Sequence, residues 1–154
     1  MKINYKNSNF YKSKFNYMHG GKRLKKKIKI NKPIFTIITT VKNNRFKLEK
    51  TIKSLLNQEF KNFEHIIIDA GSTDGTIKII KKYDNKIDYW VSRNDKGIYH
   101  GFNDGIKLAR GDIIGIINSG DLYTKKALSI IDKYFSKEKL DFVFGVVKKK
   151  KNII

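Results

Sequence analysis

Two aspartates stand where a carboxylate can do chemistry. Asp69 closes the run Ile66-Ile67-Ile68 and precedes Ala70-Gly71-Ser72-Thr73-Asp74-Gly75-Thr76; Asp121 closes Asn118-Ser119-Gly120, after the apolar run 113–117. A carboxylate at the end of a buried strand is costly to desolvate unless something donates to it, and a nucleotide base N–H is one such donor. A carboxylate beside a backbone turn holds Mg²⁺ or Mn²⁺ when diphosphate oxygens and water supply the other ligands. Each residue also has a structural reading. Asp69 suits an Asx turn, Asp121 suits the N-cap of a helix beginning near Leu122, and Asp74 in a first helical turn simply favours the helix dipole. Residue type and spacing leave these alternatives open.

The elements that must position the two aspartates alternate. The β-branched run before Asp69 fits a strand buried on both faces of a parallel sheet, with Ser72 and Thr73 as helix N-cap candidates after it. Strand, small-residue turn and helix start make the geometry that places a ligand at the carboxyl end of a parallel strand. Upstream, 34–39 reads as a first strand, and Leu48, Ile52, Leu55 and Leu56 recur at helical spacing. Downstream, Ile77, Ile80 and Tyr83 give a second helical stripe, and 87–92 a strand whose Trp90 reads as packing. Ile98, Phe102, Ile106 and Ala109 predict a third helix. Its two internal glycines cost up to about 1 kcal/mol each and imply close packing or backbone approach to a ligand. Gly111 reads as its stop. After the strand 113–117, a helix carries Ala127, Ile130, Ile131 and Tyr134, and 140–147 reads as a last strand. The fold class expected is α/β, with a mainly parallel sheet flanked by helices and both aspartates at one sheet edge.

The 154 residues suffice for one domain with a core, and 40% apolar content supports a globular class. No cysteine is present, which suits a reducing compartment. No apolar run approaches the roughly 20 residues of a membrane span and no signal peptide is visible, so a cytoplasmic location is expected. The net charge of +20 is uneven: residues 1–32 hold eleven of the 34 Lys/Arg and none of the 14 acidic residues. With no helical or strand period, this segment reads as a basic, disordered arm. Its functional alternatives are attraction to anionic lipid at the inner face of the cell membrane, or nucleic-acid binding by charge. No nucleic-acid reading module accompanies the charge, so no nucleic acid is expected as partner.

Residues 33–147 resemble the family 2 glycosyltransferases with the GT-A fold. The resemblance is carried by Ile37-Ile38-Thr39-Thr40-Val41-Lys42-Asn43, by Leu55-Leu56-Asn57-Gln58 with Phe63-Glu64 and the Asp69-to-Thr76 block, by Asp95-Lys96-Gly97-Ile98-Tyr99 with Asn103, Gly105, Ala109 and Gly111, and by Asn118-Ser119-Gly120-Asp121. The third block is similar to a branch building bacterial exopolysaccharide and lipopolysaccharide, colanic-acid-type transferases included. The resemblance implies a nucleotide-sugar site, a UDP-sugar first among donors. Asp69 would accept from the base, Thr40 would lie beside base or ribose, and Asp95 and Lys96 would lie near the donor. Asp121 would coordinate a divalent cation, Mn or Mg, and the acceptor would be a saccharide or a lipid-linked one. The reaction implied is inverting sugar transfer by direct displacement, with a carboxylate base taking the acceptor proton. Gly120 stands where many members carry an aspartate, and His100 replaces a common acid, read as surface variation. The family places its base and acceptor half further downstream, so a nucleotide-binding half-domain (33–147) ending in a lysine-rich tail (148–154) is expected, truncated at its C-terminus. The catalytic base stays unassigned. The alternative is a non-catalytic nucleotide-sugar or lipid-surface binding fragment.

Overall fold

The computed structural model describes residues 17–25, 32–94 and 97–145. Along the chain run β1 (Met18–Gly20), α1 (Lys22–Lys25), β2 (Phe35–Val41), α2 (Arg45–Leu56), β3 (Phe63–Asp69), α3 (Thr76–Lys82), β4 (Tyr89–Ser92), α4 (Ile98–Leu108), β5 (Ile113–Ile116) and α5 (Ala127–Lys137). All seven residues of β2 are buried, as are the last six of β3, so these two strands form the middle of the sheet. The sheet order is β1-β4-β3-β2-β5. β2 pairs in parallel with β3 and β5, and β3 in parallel with β4; only β1 runs antiparallel, against β4. The expected α/β architecture is therefore present, and every parallel crossover carries a helix.

Strand alternation sorts the core into two layers. On one face Val41, Ile67 and Trp90 pack with Leu48, Ile52, Ile80 and Tyr83, while Phe35, Ile37 and Ile117 pack with Leu55 and Leu128. On the other face Ile38, Ile66, Ile68, Tyr89 and Val91 lie under α4. Fully burying each isoleucine is worth about 1.5–3 kcal/mol, which is why the short β-branched runs hold the centre.

Helix α4 sits differently from its apolar spacing. Its buried residues are Gly101, Asp104 and Gly105, whereas Ile98 and Ile106 are about half exposed. A side chain at Gly105 would run into Ile38, so the glycine lets α4 lie directly on the sheet. Asp104 on the same face pairs with Arg93 at the end of β4. In α5, Leu128 and Ile131 pack on the core while Ile130 and Tyr134 face outward.

Two segments correct the sequence reading. Within the arm expected to be disordered, residues 17–25 are folded: β1 extends the sheet, and Arg23 reaches the buried Glu64. The acids that neutralise it lie 41 to 66 positions away in sequence, at Glu64, Asp84 and Asp88, where local pattern cannot reveal them. The expected last strand is absent over 140–145, whose backbone joins no ladder; Phe142 and Phe144 are exposed and their rings meet tilted, with centroids 5.3 Å apart. Alternation makes a strand only where the chain is paired, and 140–145 does not pair with the outer edge of β5. Residues 146 and 147 lie outside the described residues.

Candidate functional site

The carboxyl ends of β2, β3, β4 and β5 deliver Val41, Asp69, Ser92 and Ile116 to one edge of the sheet. Asp69 is fully buried there. Its Oδ2 accepts from Gly71 N at 3.1 Å, Ser72 N at 2.9 Å and Ser92 Oγ at 2.7 Å. Its Oδ1 is equally buried and has no hydrogen-bond partner among the described residues. The Asx-turn reading is thus realised by one oxygen only. The other is a buried acceptor to which no described residue donates, an arrangement that costs free energy.

Three loops meet around this carboxylate. After β2, Asn43 adopts a left-handed φ of 49° and exchanges bonds with the loop after β3: its N–H donates to Ser72 Oγ at 2.7 Å, and its Oδ1 accepts from Thr73 N at 2.8 Å. Asn44 joins the third loop, donating from Nδ2 to Ser119 O at 3.0 Å and from its backbone N–H to Thr76 Oγ1 at 3.1 Å. Asp74 accepts from Thr76 N and Oγ1 and from Arg45 N, so it is a structural carboxylate held below the usual range by those bonds, that from the Thr76 hydroxyl foremost. Neither Ser72 nor Thr73 caps α3; Gly75 occupies that position and Ser72 is engaged with Asn43.

Asp121 stands five residues beyond the end of β5, on an exposed turn closed by its own N–H donating to Asn118 O at 3.0 Å. Its N-cap reading is excluded, because α5 begins at Ala127 with Lys126 as cap. No described residue bonds or ion-pairs its carboxylate, and two positions earlier Ser119 Oγ is buried without a partner. Among the described residues no group of three His, Cys, Asp or Glu could hold an ion unaided. An open carboxylate of this kind fits a cation that arrives with its own phosphate ligands. Asp69 and Asp121 share the carboxyl edge, but β2 lies between β3 and β5, so their strands are not neighbours.

Thr40 is buried in β2 opposite Ile68, on the α4 face, whereas Asp69 follows the alternation to the face shared with Val41 and Trp90. The two side chains do not meet. Asp95 and Lys96 lie outside the described residues. The sequence reading gave no role to Asn44, Thr51 and Ser54, and quoted Gln58 only within a block carrying the resemblance; together these four carry the loop after β5. Their spacing of seven, three and four is one face of a helix, and a polar face beside the apolar stripe was the available signal. Gln58, fully buried, donates to Thr124 O at 2.8 Å and accepts from Leu128 N at 3.1 Å, tying α2 to the start of α5.

At the opposite end of the strands Glu64 is buried among Thr36, Arg23 and Arg110. Burial pushes its carboxyl up, but the Arg23 charge and the bonds from Thr36 and Arg110 outweigh this and hold it below its usual value. Next to it, burial, aided by the Lys22 charge, pushes the His65 imidazole down to about 3. It is therefore neutral, and it pairs with Thr39 Oγ1 at 2.9 Å. Both groups serve the fold, far from the Asp69 edge.

A model of the family described as "Glycosyl transferase family 2" matches residues 36–152. The poly(ribitol-phosphate) beta-N-acetylglucosaminyltransferase TarP of Staphylococcus aureus is 31% identical over 125 residues, 78% of this chain and 36% of that protein. Residues 1–349 of S. aureus TarS, in a crystal structure with UDP-GlcNAc, superpose with a TM-score of 0.62 at 27% identity, covering 67% of this chain and 31% of that one. The mannosyltransferase PcManGT of Pyrobaculum calidifontis, in complex with GDP-Man and Mn²⁺, superposes at 0.55 with 20% identity over 75% of this chain and 33% of that one, a likeness of fold. The chain covers between 14% and 41% of the length of the curated relatives compared with it, 36% for TarP.

Proposed function

The chain belongs to glycosyl transferase family 2, with an α/β sheet of the GT-A type, and on that premise we propose that its carboxyl sheet edge binds a nucleotide-sugar donor for sugar transfer in bacterial surface polysaccharide synthesis. The observation that carries this is the buried, unpartnered Oδ1 of Asp69 at the end of a central parallel strand. A pyrimidine or purine ring N–H satisfies it with a charge-assisted bond, while the Gly71, Ser72 and Ser92 donors hold the other oxygen and fix the carboxylate plane. UDP is the nucleotide best supported, through the likeness to the UDP-GlcNAc complex of TarS.

Asp121 would hold a divalent cation, Mn²⁺ or Mg²⁺, which compensates charge on the diphosphate leaving group when bound. The chain's own residues bind and orient the donor. Asp69 reads the base, and the laced loops after β2, β3 and β5 fix the distance from base to diphosphate. Inversion by direct displacement needs a base within reach of the acceptor hydroxyl. Asp69 and Asp121 have other roles, and Asp104 is engaged by Arg93, so none of these is that base. A saccharide or lipid-linked acceptor at the inner membrane face agrees with the basic residues 1–32, among which Lys22 and Lys25 are already paired with acids of the domain.

Calorimetry with UDP, GDP and dTDP, each with and without Mn²⁺, tests the reading. UDP is expected to bind, more tightly with Mn²⁺, and Asp121→Asn to remove the metal dependence while base recognition stays. A folded chain that binds none of the three would refute it.

A further inference from the structure

An exposed carboxylate on a loop is a poor cation ligand unless its backbone is held, and Asp121 is exposed. What holds it is a side chain of α2. Thr51 is fully buried at the border between the apolar stripe of Leu48, Ile52 and Leu55 and the polar face of Asn44, Ser54 and Gln58. Its hydroxyl donates to Asp121 O at 2.9 Å and accepts from Gly120 N at 2.9 Å. The alternative acceptor within the helix, Lys47 O, is 3.5 Å away, so the loop takes the proton. One hydroxyl thus bridges the Gly120 N–H and the Asp121 carbonyl, holding the turn on either side of the Gly120–Asp121 peptide.

The turn it grips is tightly constrained. Gly120 has a φ of +113°, in the left-handed region, and a side chain there would press on Lys47 of the same helix. Asn44 Nδ2 holds Ser119 O at 3.0 Å, and Ser54 Oγ accepts from Tyr123 N at 3.3 Å. These two bonds fix the ends of the loop; among the described side chains, Thr51 alone bonds the backbone at its apex.

We propose that Thr51 is the positioning residue for Asp121, setting its carboxylate so that a divalent cation on a bound diphosphate meets a fixed ligand. The proposal rests on the reading of Asp121 given above. Thr51 touches neither metal nor nucleotide and acts through the peptide it holds, in the way that partners behind a metal ligand fix its orientation.

The experiment uses the full chain, with Mn²⁺ followed by electron paramagnetic resonance in the presence of saturating UDP, and with uridine affinity measured separately. Uridine has no phosphates and reports the Asp69 end alone. Thr51→Val is expected to weaken Mn²⁺ binding to the UDP-loaded protein about 10- to 100-fold, Thr51→Ser to return it to near the wild-type value, and both to leave uridine affinity unchanged. Thr51→Ala replaces the valine variant if that one folds poorly. Wild-type Mn²⁺ binding that is abolished by Asp121→Asn but untouched by Thr51→Val and Thr51→Ala would overturn the Thr51 proposal alone. Equal loss of uridine and Mn²⁺ binding in Thr51→Val would reduce Thr51 to a packing residue and overturn it too. Absence of Mn²⁺ binding to the UDP-loaded wild type would sink the Asp121 reading, and the Thr51 role with it.

Discussion

Asp69→Asn changes the hydrogen-bonding sense of one atom while keeping the shape of the side chain. Three donors converge on Oδ2, at 2.7 to 3.1 Å. An amide nitrogen cannot accept, so the asparagine carbonyl oxygen takes that place and its NH₂ falls where Oδ1 was. A base N–H that met an acceptor then meets a donor. The lost bond is charge-assisted and worth about 1.5–3 kcal/mol, or about 10- to 150-fold in Kd. Stability moves much less. The bonds to Oδ2 weaken as they become neutral, but a carboxylate with one bare buried oxygen is no longer desolvated. A net change of about 1 kcal/mol corresponds to about 2–4 °C in melting temperature for a domain of this size. Calorimetric titration with UDP and with uridine, alongside thermal melts, separates the two effects. An Asp69→Asn protein that melts near the wild-type temperature and binds both ligands as tightly as wild type would show that Oδ1 does not read the base.

Arg23→Ala should cost about 1–3 kcal/mol in urea denaturation, because it strips one partner from the buried Glu64 while Arg110 and Thr36 remain; no change would show that residues 17–25 dock without energetic consequence. His65 supplies a pH dependence. Its folded pKa of about 3 lies below the usual 6.5, so the unfolded chain takes up the proton first, and its contribution is whole above pH 6.5. It should fall by about 1.4 kcal/mol per pH unit as pH drops from 6.5 towards 3. Denaturant titrations at several pH values read that slope, which His65→Gln should remove between pH 6.5 and 5. The depressed carboxyl of Glu64 adds its own loss only at lower pH, as its folded value is passed.

Much of this molecule is written locally. The isoleucine runs before Asp69 and Asp121, the helical spacing of Leu48, Ile52 and Leu55, and the glycine-rich turns specify parallel strands with helical crossovers, because period and turn chemistry are properties of neighbours in sequence. The same blocks, in the same order, carried the family. What sequence could not decide depends on residues brought together from afar. That residues 17–25 join the sheet follows from acids at 64, 84 and 88, beyond the reach of any local pattern. That α4 turns Gly101 and Gly105 inward, rather than Ile98 and Ile106, follows from the bulk of Ile38 beneath it and from the Arg93–Asp104 pair. A strand at 140–145 was legible as alternation, but the backbone there pairs with no strand, and pairing is settled by tertiary placement. At the candidate site, sequence placed two aspartates at strand ends. Only the fold divided the oxygens of Asp69 into one that is satisfied and one that waits, because three donors, two from the turn after β3 and one from β4, converge on the same atom. Only the fold, too, set the Thr51 hydroxyl against the Asp121 peptide 70 residues away, since a helix face acquires its partner when the sheet places the loop beside it.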